Sequence, residues 1–247
     1  MTWKPFESNR RDLLAGAAGL PLMMASGPAA AQLAATPPTT FTGLKLRLGM
    51  VLFNDFEVLD VYGPLSMFSA LSDRVQITTI AQKAGAITTI GGLSVNADVA
   101  FADAPPLDLV IIPGGLGTRR EVNNAEFLAA IRHLAEVTPQ VATVCTGSAI
   151  LAKSGWLDGK KATGNKLAWK WVTAQSSKVL WVPKARWVVD GKVTTSSGVS
   201  AGMDMTLFLI ANLYGKETAT WVANRAEYRW HDDPADDPYA AMNGLEA

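Results

Sequence analysis

The stretch Gln140-Val-Ala-Thr-Val-Cys145-Thr-Gly-Ser-Ala-Ile-Leu-Ala-Lys-Ser154 determines the fold class, because it joins an apolar strand to a helix at a cysteine. The β-branched run 141–144 predicts a buried strand. Thr146 belongs to the residue types that cap helices, and Gly147 permits a sharp turn. Unpaired N–H groups at a helix start would lower the pKa of the Cys145 thiol, so Cys145 is a candidate nucleophile. The alternative is a small buried apolar residue.

Composition limits the classes of protein that this chain can represent. Its 247 residues, 49% of them apolar, suffice for one well-filled domain. The 22 basic residues balance the 22 acidic residues, so no electrostatic attraction to nucleic acid or to an anionic membrane is expected. A single cysteine excludes an intramolecular disulfide and a cysteine-based zinc site, and two histidines make a histidine site unexpected. We therefore predict no metal.

The first 31 residues have the three parts of an export signal. Arg10 and Arg11 precede a Gly/Ala/Leu/Met run that extends to Ala25, and Gly27-Pro28 and the small residues Ala29-Ala30-Ala31 follow it. The arginine pair resembles a twin-arginine signal, which predicts a periplasmic or secreted protein. The alternative, a membrane anchor, is disfavoured because the run is shorter than the roughly 20 residues that span a bilayer. Residues 32–44, rich in proline and threonine, are predicted to be a linker.

Strands and helices alternate from residue 45 to residue 228, which predicts an α/β domain with a mainly parallel sheet. An acidic tail, 229–247, is expected to be a surface segment or a dimer arm. We place the start of the first helix by the Gly63-Pro64 pair. The predicted strands are 45–53, 75–81, 109–115 and 141–144, the hairpins 86–95 and 186–197, and the helices 58–71, 124–137, 146–155, 167–174, 199–214 and 217–228.

The topology of a parallel sheet brings three segments to one edge, since sites form at the carboxyl ends of parallel strands. These segments are the loop after Phe53, the Gly114-Gly115 turn and Cys145-Thr146. A thiol nucleophile needs a proton partner, and Asp60 in the segment after Phe53 is the candidate. The alternative is that Asp60 only caps the first helix.

Three motifs resemble the ThiJ/PfpI superfamily, related to class I glutamine amidotransferases, and within it the isocyanide hydratases. They are Val144-Cys-Thr-Gly-Ser148, Asp60-x-x-Gly63-Pro64 and Pro113-Gly-Gly115. The resemblance covers about 45–228 and implies a flavodoxin-like three-layer α/β sandwich with a cysteine nucleophile elbow. It also implies that the Asp60 carboxyl contacts Cys145 and that the amides of Gly115 and Thr146 form an oxyanion-hole-like pocket.

Two further segments bear on the resemblance. The stretch Thr195-Ser-Ser-Gly-Val-Ser-Ala-Gly-Met-Asp204 is similar to the family's glycine-rich segment beside the pocket, although a helix start capped by Ser200 explains it equally well. Asn165 stands where many members have a histidine, and neither His133 nor His231 is a good substitute. A Cys–His dyad therefore has no base, which counts against peptidase activity.

The resemblance implies an isocyanide hydratase-like hydro-lyase that acts on a small molecule through Cys145, with Asp60 as proton donor and acceptor and no cofactor. It also implies a homodimer. Two alternatives stay open: a hydratase of reactive dicarbonyls that uses the same thiol, and a non-enzymatic redox sensor or ligand-binding module.

Overall fold

The computed structural model describes residue 37 and residues 42–245. The predicted export signal, 1–31, and most of the predicted linker lie outside the described residues. Among the helices that are described, none combines the length and the apolar character needed to cross a membrane.

Residues 42–245 form eleven strands, eight α-helices and one 3-10 helix, Phe101–Asp103. The strands are β1 (Leu46–Val51), β2 (Val75–Ala81), β3 (Gly85–Thr88), β4 (Ser94–Ala97), β5 (Val99–Ala100), β6 (Leu109–Ile112), β7 (Gln140–Thr143), β8 (Lys161–Ala162), β9 (Leu180–Trp181), β10 (Trp187–Asp190) and β11 (Val193–Ser196). The helices are α1 (Val58–Ser69), α2 (Thr118–Glu121), α3 (Ala125–Val137), α4 (Gly147–Lys153), α5 (Trp169–Thr173), α6 (Ala201–Tyr214), α7 (Lys216–Arg225) and α8 (Pro238–Met242).

Seven strands form the central sheet in the order β10-β11-β7-β6-β1-β2-β5. Every neighbouring pair is parallel except β10 and β11, which form the antiparallel hairpin predicted around Gly191. All four residues of β6 are buried, as expected for a parallel strand covered on both faces. The predicted α/β class with a mainly parallel sheet is confirmed.

Two groups of helices flank this sheet. Helix α6 contacts α1 and α7, whereas α3 contacts α4. Gly63 lies where α1 meets α6, since a Cβ atom there would come within 2.9 Å of the Met203 side chain. The prediction that Gly63-Pro64 starts the first helix is wrong: α1 begins at Val58 and contains Pro64.

The acidic C-terminal segment packs against its own domain. The Arg186 amide donates to the Pro234 carbonyl at 2.8 Å, and the Asp237 amide donates to the Lys184 carbonyl at 3.0 Å. Asp237 is buried, and it caps α8 by accepting a hydrogen bond from the Tyr239 amide. Most residues of the segment are exposed, in agreement with the expectation of a surface segment, whereas the dimer arm stays a prediction.

Candidate active site

Cys145 lies on a strained turn between β7 and α4. Its φ of 61° is in the left-handed region, which non-glycine residues seldom adopt. Two main-chain hydrogen bonds hold the cysteine: the Cys145 amide donates to the Ser197 carbonyl at 3.0 Å, and the Cys145 carbonyl accepts from the Asn165 amide at 3.2 Å. The sharp turn therefore belongs to the cysteine. Gly147 does not make the turn that is predicted for it, but permits close packing of the backbone. A Cβ at this position would lie 2.3 Å from the Ile112 carbonyl oxygen.

Asp60 projects from the first turn of α1 into the same site and is fully buried. Its Oδ2 accepts a hydrogen bond from the Gly114 amide at 2.8 Å, while Oδ1 has no hydrogen-bond partner in the described part of the chain. The residue before α1 is Glu57, so Asp60 does not cap the helix. The capping alternative is wrong, and the carboxyl group is free for another use.

Burial raises the pKa of Asp60 to about 7. The Gly114 amide and then the Cys145 side chain lower the pKa, and the charge of Glu57 raises it, but all three matter less than desolvation. At neutral pH the protonated and the ionised forms of the Asp60 carboxyl group are therefore both populated. A group in this condition can both give and take a proton, as general acid–base catalysis requires.

The thiol of Cys145 departs from the expectation of a lowered pKa. Burial and then the charge of Asp60 raise its pKa, and they outweigh the lowering by the amides of Thr146 and Val199 and by the Asn165 side chain. The helix start cannot compensate because the residue is only 5% exposed. The resting cysteine is thus a neutral thiol that needs a base.

Asn165 contacts the sulfur directly. Its Nδ2 donates to Cys145 Sγ at 3.1 Å, and its Oδ1 accepts from the Ala168 amide at 2.8 Å, which orients the side-chain amide. Room for the amide comes from Gly198, where a Cβ would lie 2.3 Å from Asn165 Nδ2. The position where the family resemblance implies a histidine is therefore occupied by a neutral donor that cannot act as a base.

The glycine turn after β6 completes this edge of the site. Gly114 has no room for a side chain, since a Cβ would lie 2.5 Å from the Thr146 nitrogen and 2.8 Å from Asp60 Oδ2. The Gly115 amide donates to the Thr146 hydroxyl at 3.0 Å. Thr146 precedes α4 without capping it through its side chain. The predicted pocket of Gly115 and Thr146 amides stays a prediction, and in this state the Gly115 donor is used internally.

Two residues at the site were missed by the sequence reasoning. Val199 has a φ of 50°, rare for a β-branched residue, and its amide lowers the pKa of both Asp60 and Cys145. The sequence had placed Val199 in a helix, and nothing in its identity signals a left-handed conformation. Arg119 lies on the short helix α2 near the thiol and is considered below.

A cavity of about 360 Å³ adjoins Asn165 and Val199. Leu167 and the segment 197–200 line it on one side, and Tyr239 and Asn243 from the C-terminal segment line it on the other. The C-terminal segment thus lines a cavity next to Asn165, the residue that contacts the thiol, a contribution that its acidic composition did not indicate.

A mainly parallel sheet that presents a cysteine on a strained strand-to-helix turn, beside a buried carboxyl group, defines a protein with a cysteine nucleophile elbow. The sequence model of the DJ-1/PfpI family matches residues 47–212. The chain belongs to this family, and the resemblance to ThiJ/PfpI proteins is confirmed.

Several known proteins resemble the chain over most of the domain. An isonitrile hydratase from Pseudomonas putida is 33% identical over 185 residues, covering 75% of this chain and 79% of that protein. The HTH-type transcriptional regulator GbdR from Pseudomonas aeruginosa is 29% identical over 188 residues, covering 73% of this chain and 50% of the regulator. A solved THiJ/PfpI family protein from Pseudomonas syringae has a TM-score of 0.68 and 25% identity, covering 91% of this chain and 92% of its own.

Proposed function

We propose that the protein is an isocyanide hydratase-like enzyme, which adds water to R–N≡C and releases the N-formamide R–NH–CHO. The observation that carries the proposal is the buried Asp60 carboxyl group, with a pKa of about 7 and one unpartnered oxygen, against the Cys145 thiol. The neutral Asn165 beside the sulfur supports a Cys–Asp system over a Cys–His system. Similarity to an isonitrile hydratase supports the choice of substrate class.

In the first step, the Asp60 carboxylate takes the thiol proton, because the raised pKa of Cys145 leaves too little thiolate for attack. The sulfur bonds to the terminal carbon of the isocyanide, and Asp60 passes its proton to the same carbon. The product is a thioimidate, R–N=CH–S–Cys145. The Thr146 and Val199 amides and the Asn165 side chain, which all lower the thiol pKa, stabilise the sulfur charge during attack.

In the second step, water bonds to the thioimidate carbon while Asp60 takes one of its protons and delivers it to the nitrogen. Asp60 then accepts the hydroxyl proton as the carbon–sulfur bond breaks, which releases R–NH–CHO. The proton on Asp60 returns to the sulfur and restores the starting state. Water is the only co-reactant, so a single carboxyl group suffices for every transfer.

The test is hydration of para-nitrophenyl isocyanide by the wild type, Cys145→Ala and Cys145→Ser, with formation of the N-formamide followed by chromatography. Ser154→Ala, a one-atom truncation at the other end of α4, is the matched control. We expect turnover by the wild type and the control only, with all variants folded by circular dichroism. Equal turnover by Cys145→Ala would refute the proposal.

Other results would redirect the assignment. Conversion of methylglyoxal to lactate, with no hydration of isocyanides, would favour the dicarbonyl alternative. If the wild type turns over neither isocyanides nor methylglyoxal but binds a small molecule saturably, a sensor or ligand-binding role is favoured. The similar transcriptional regulator represents this class.

We also propose export through residues 1–31, supported by the Arg10-Arg11 pair ahead of the apolar run. Fusion of residues 1–44 to a reporter, with Arg10 and Arg11 both changed to lysine as the control, tests this route.

A homodimer is proposed on the family resemblance and on the exposed apolar residues Leu59 and Tyr62 of α1. Sedimentation of the purified protein tests it.

A further inference from the structure

Arg119 is a half-buried cation close to the candidate nucleophile. Its Nη1 donates to the Gly115 carbonyl at 3.2 Å and to the Thr118 hydroxyl at 3.1 Å. The Thr118 hydroxyl in turn lies 3.2 Å from the hydroxyl of Thr146, the residue after Cys145. Two hydrogen bonds therefore connect the guanidinium group to the nucleophile turn.

The rest of the Arg119 guanidinium group packs against an aromatic ring, but its remaining N–H groups have no acceptor among the described residues. Its plane lies over the Trp171 ring, with the guanidinium carbon 4.2 Å from the ring centroid. No acidic side chain in residues 42–245 forms a salt bridge with Arg119, and no hydrogen bond there uses its Nε or Nη2. Partial burial of a cation without a counter-charge costs free energy, which a bound anion would recover.

The neighbouring arginine shows the ordinary arrangement. Arg120 is half exposed and pairs with Asp55 at 3.0 Å and with Glu121 at 2.8 Å. Arg119 and Arg120 thus lie on the same short helix with the same charge, and of the two only Arg119 has no acidic partner among the described residues. Burial lowers the pKa of Arg119 below its usual value, and the charge of Cys145 opposes that shift.

We propose that the Nε–Nη2 edge of Arg119 binds a carboxylate of the substrate while the reacting carbon meets Cys145. This edge offers two parallel N–H donors, the geometry that a carboxylate accepts. The inference rests on the proposed function for its substrate class, which becomes short isocyanides that carry a carboxylate. Isocyanoacetate is the probe: addition of water to its isocyanide carbon gives N-formylglycine, and the carboxylate is unchanged.

The first experiment compares kcat/KM for isocyanoacetate and for its uncharged methyl ester in wild type, Arg119→Gln, Arg119→Lys and the matched control Arg120→Gln. We expect the wild type and Arg120→Gln to prefer the acid, and Arg119→Gln to lose the preference about tenfold through KM. Arg119→Lys should recover part of the preference for the acid, since lysine keeps the positive charge but lacks the two parallel N–H donors. Equal losses for acid and ester would mean that Arg119 acts only on the thiol, and would overturn the inference.

The second experiment needs no turnover: calorimetric binding of N-formylglycine and of its amide to the same four proteins. We expect the acid to bind the wild type and Arg120→Gln, and to bind Arg119→Gln about tenfold more weakly. Arg119-dependent binding without hydration would refute the proposed function and keep the anion site. Hydration with equal affinity for acid and amide would keep the function and refute the anion site.

Discussion

Asp60 and Asp204 are both fully buried carboxyl groups, but their surroundings differ. Asp204 Oδ2 accepts from Arg186 Nε at 2.7 Å, and its Oδ1 accepts from the Tyr228 hydroxyl at 3.0 Å and from the His231 amide at 2.9 Å. Asp60 accepts one backbone hydrogen bond and has no cationic partner among the described residues.

This difference separates a carboxylate that stabilises the fold from a carboxyl group that can take part in proton transfer. Asp204 is neutralised by Arg186, and the pair connects α6 to the start of β10 and to the C-terminal segment. Asp60 has no such cation among the described residues, and burial raises its pKa to about 7. A buried carboxyl group that has no cationic partner is available for proton transfer. The same substitution at both sites should therefore have opposite effects on stability.

The largest effect is expected for Asp60→Asn. Loss of the only group positioned to move protons should reduce hydration about 1,000-fold. Between pH 4 and pH 7 the unfolded chain releases a proton that the folded wild type keeps on Asp60, so the stability of the wild type falls across this window. The variant lacks that penalty, and above pH 7 it should be more stable by up to about 4 kcal/mol.

Kinetics and urea unfolding of Asp60→Asn at several pH values check both statements. Removal of the Asp60 charge should also lower the pKa of Cys145, so iodoacetamide should alkylate the variant faster than the wild type at pH 8. Unchanged alkylation together with unchanged hydration would show that Asp60 and Cys145 do not act as a pair.

Asp204→Asn is the matched comparison and should lower the free energy of unfolding by about 3 kcal/mol, because the buried Arg186 would lose the nearer of its two acidic partners. Urea unfolding at pH 7 measures the loss. Hydration per folded molecule should change little, since Asp204 does not contact the thiol. A gain in stability at this position would remove the distinction between the two carboxyl groups.

Asn165→Ala should reduce hydration about tenfold, the cost of one hydrogen bond to a developing charge. Asn165→His supplies a base and tests whether this site can use one. If the site is a Cys–Asp system, histidine should not exceed the wild-type rate; a faster histidine variant would mean that Asn165 impairs a Cys–His mechanism. Initial rates with para-nitrophenyl isocyanide distinguish these outcomes.

The convergence of Asp60, Gly114-Gly115 and Cys145 was predictable because parallel topology brings the carboxyl ends of β1, β6 and β7 to one edge. Motif order and apolar strands suffice for that inference. The direction of the thiol pKa was not predictable in this way. A helix start predicts a lower pKa, but the exposed fraction of the sulfur and the distance to a carboxyl group depend on the folded chain.

Other features of the site arise from contacts between distant segments. Arg119 becomes distinctive only because Trp171 covers it and because the acidic side chains near α2 pair with Arg120 instead. The left-handed Val199 depends on the turn that carries the chain from β11 to α6. Local propensity predicts neither feature, since it would place Val199 in a strand or a helix and Arg119 in solvent.

The smallest effect is expected for Asp237→Asn, which weakens the second attachment of the C-terminal segment. Asp237 lies 3.8 Å from Lys166 and 3.6 Å from Arg186, longer contacts than those of Asp204. Lys166 keeps its hydrogen bonds to Thr163 and to a main-chain carbonyl at 2.7 Å, so the loss in stability should be about 1 kcal/mol. Because Tyr239 follows Asp237 and lines the cavity, KM should rise while kcat stays unchanged. Thermal unfolding measures the change in stability, and steady-state kinetics measure KM and kcat. A loss of stability as large as that of Asp204→Asn would contradict the prediction, because it would mean that both acids anchor the segment equally.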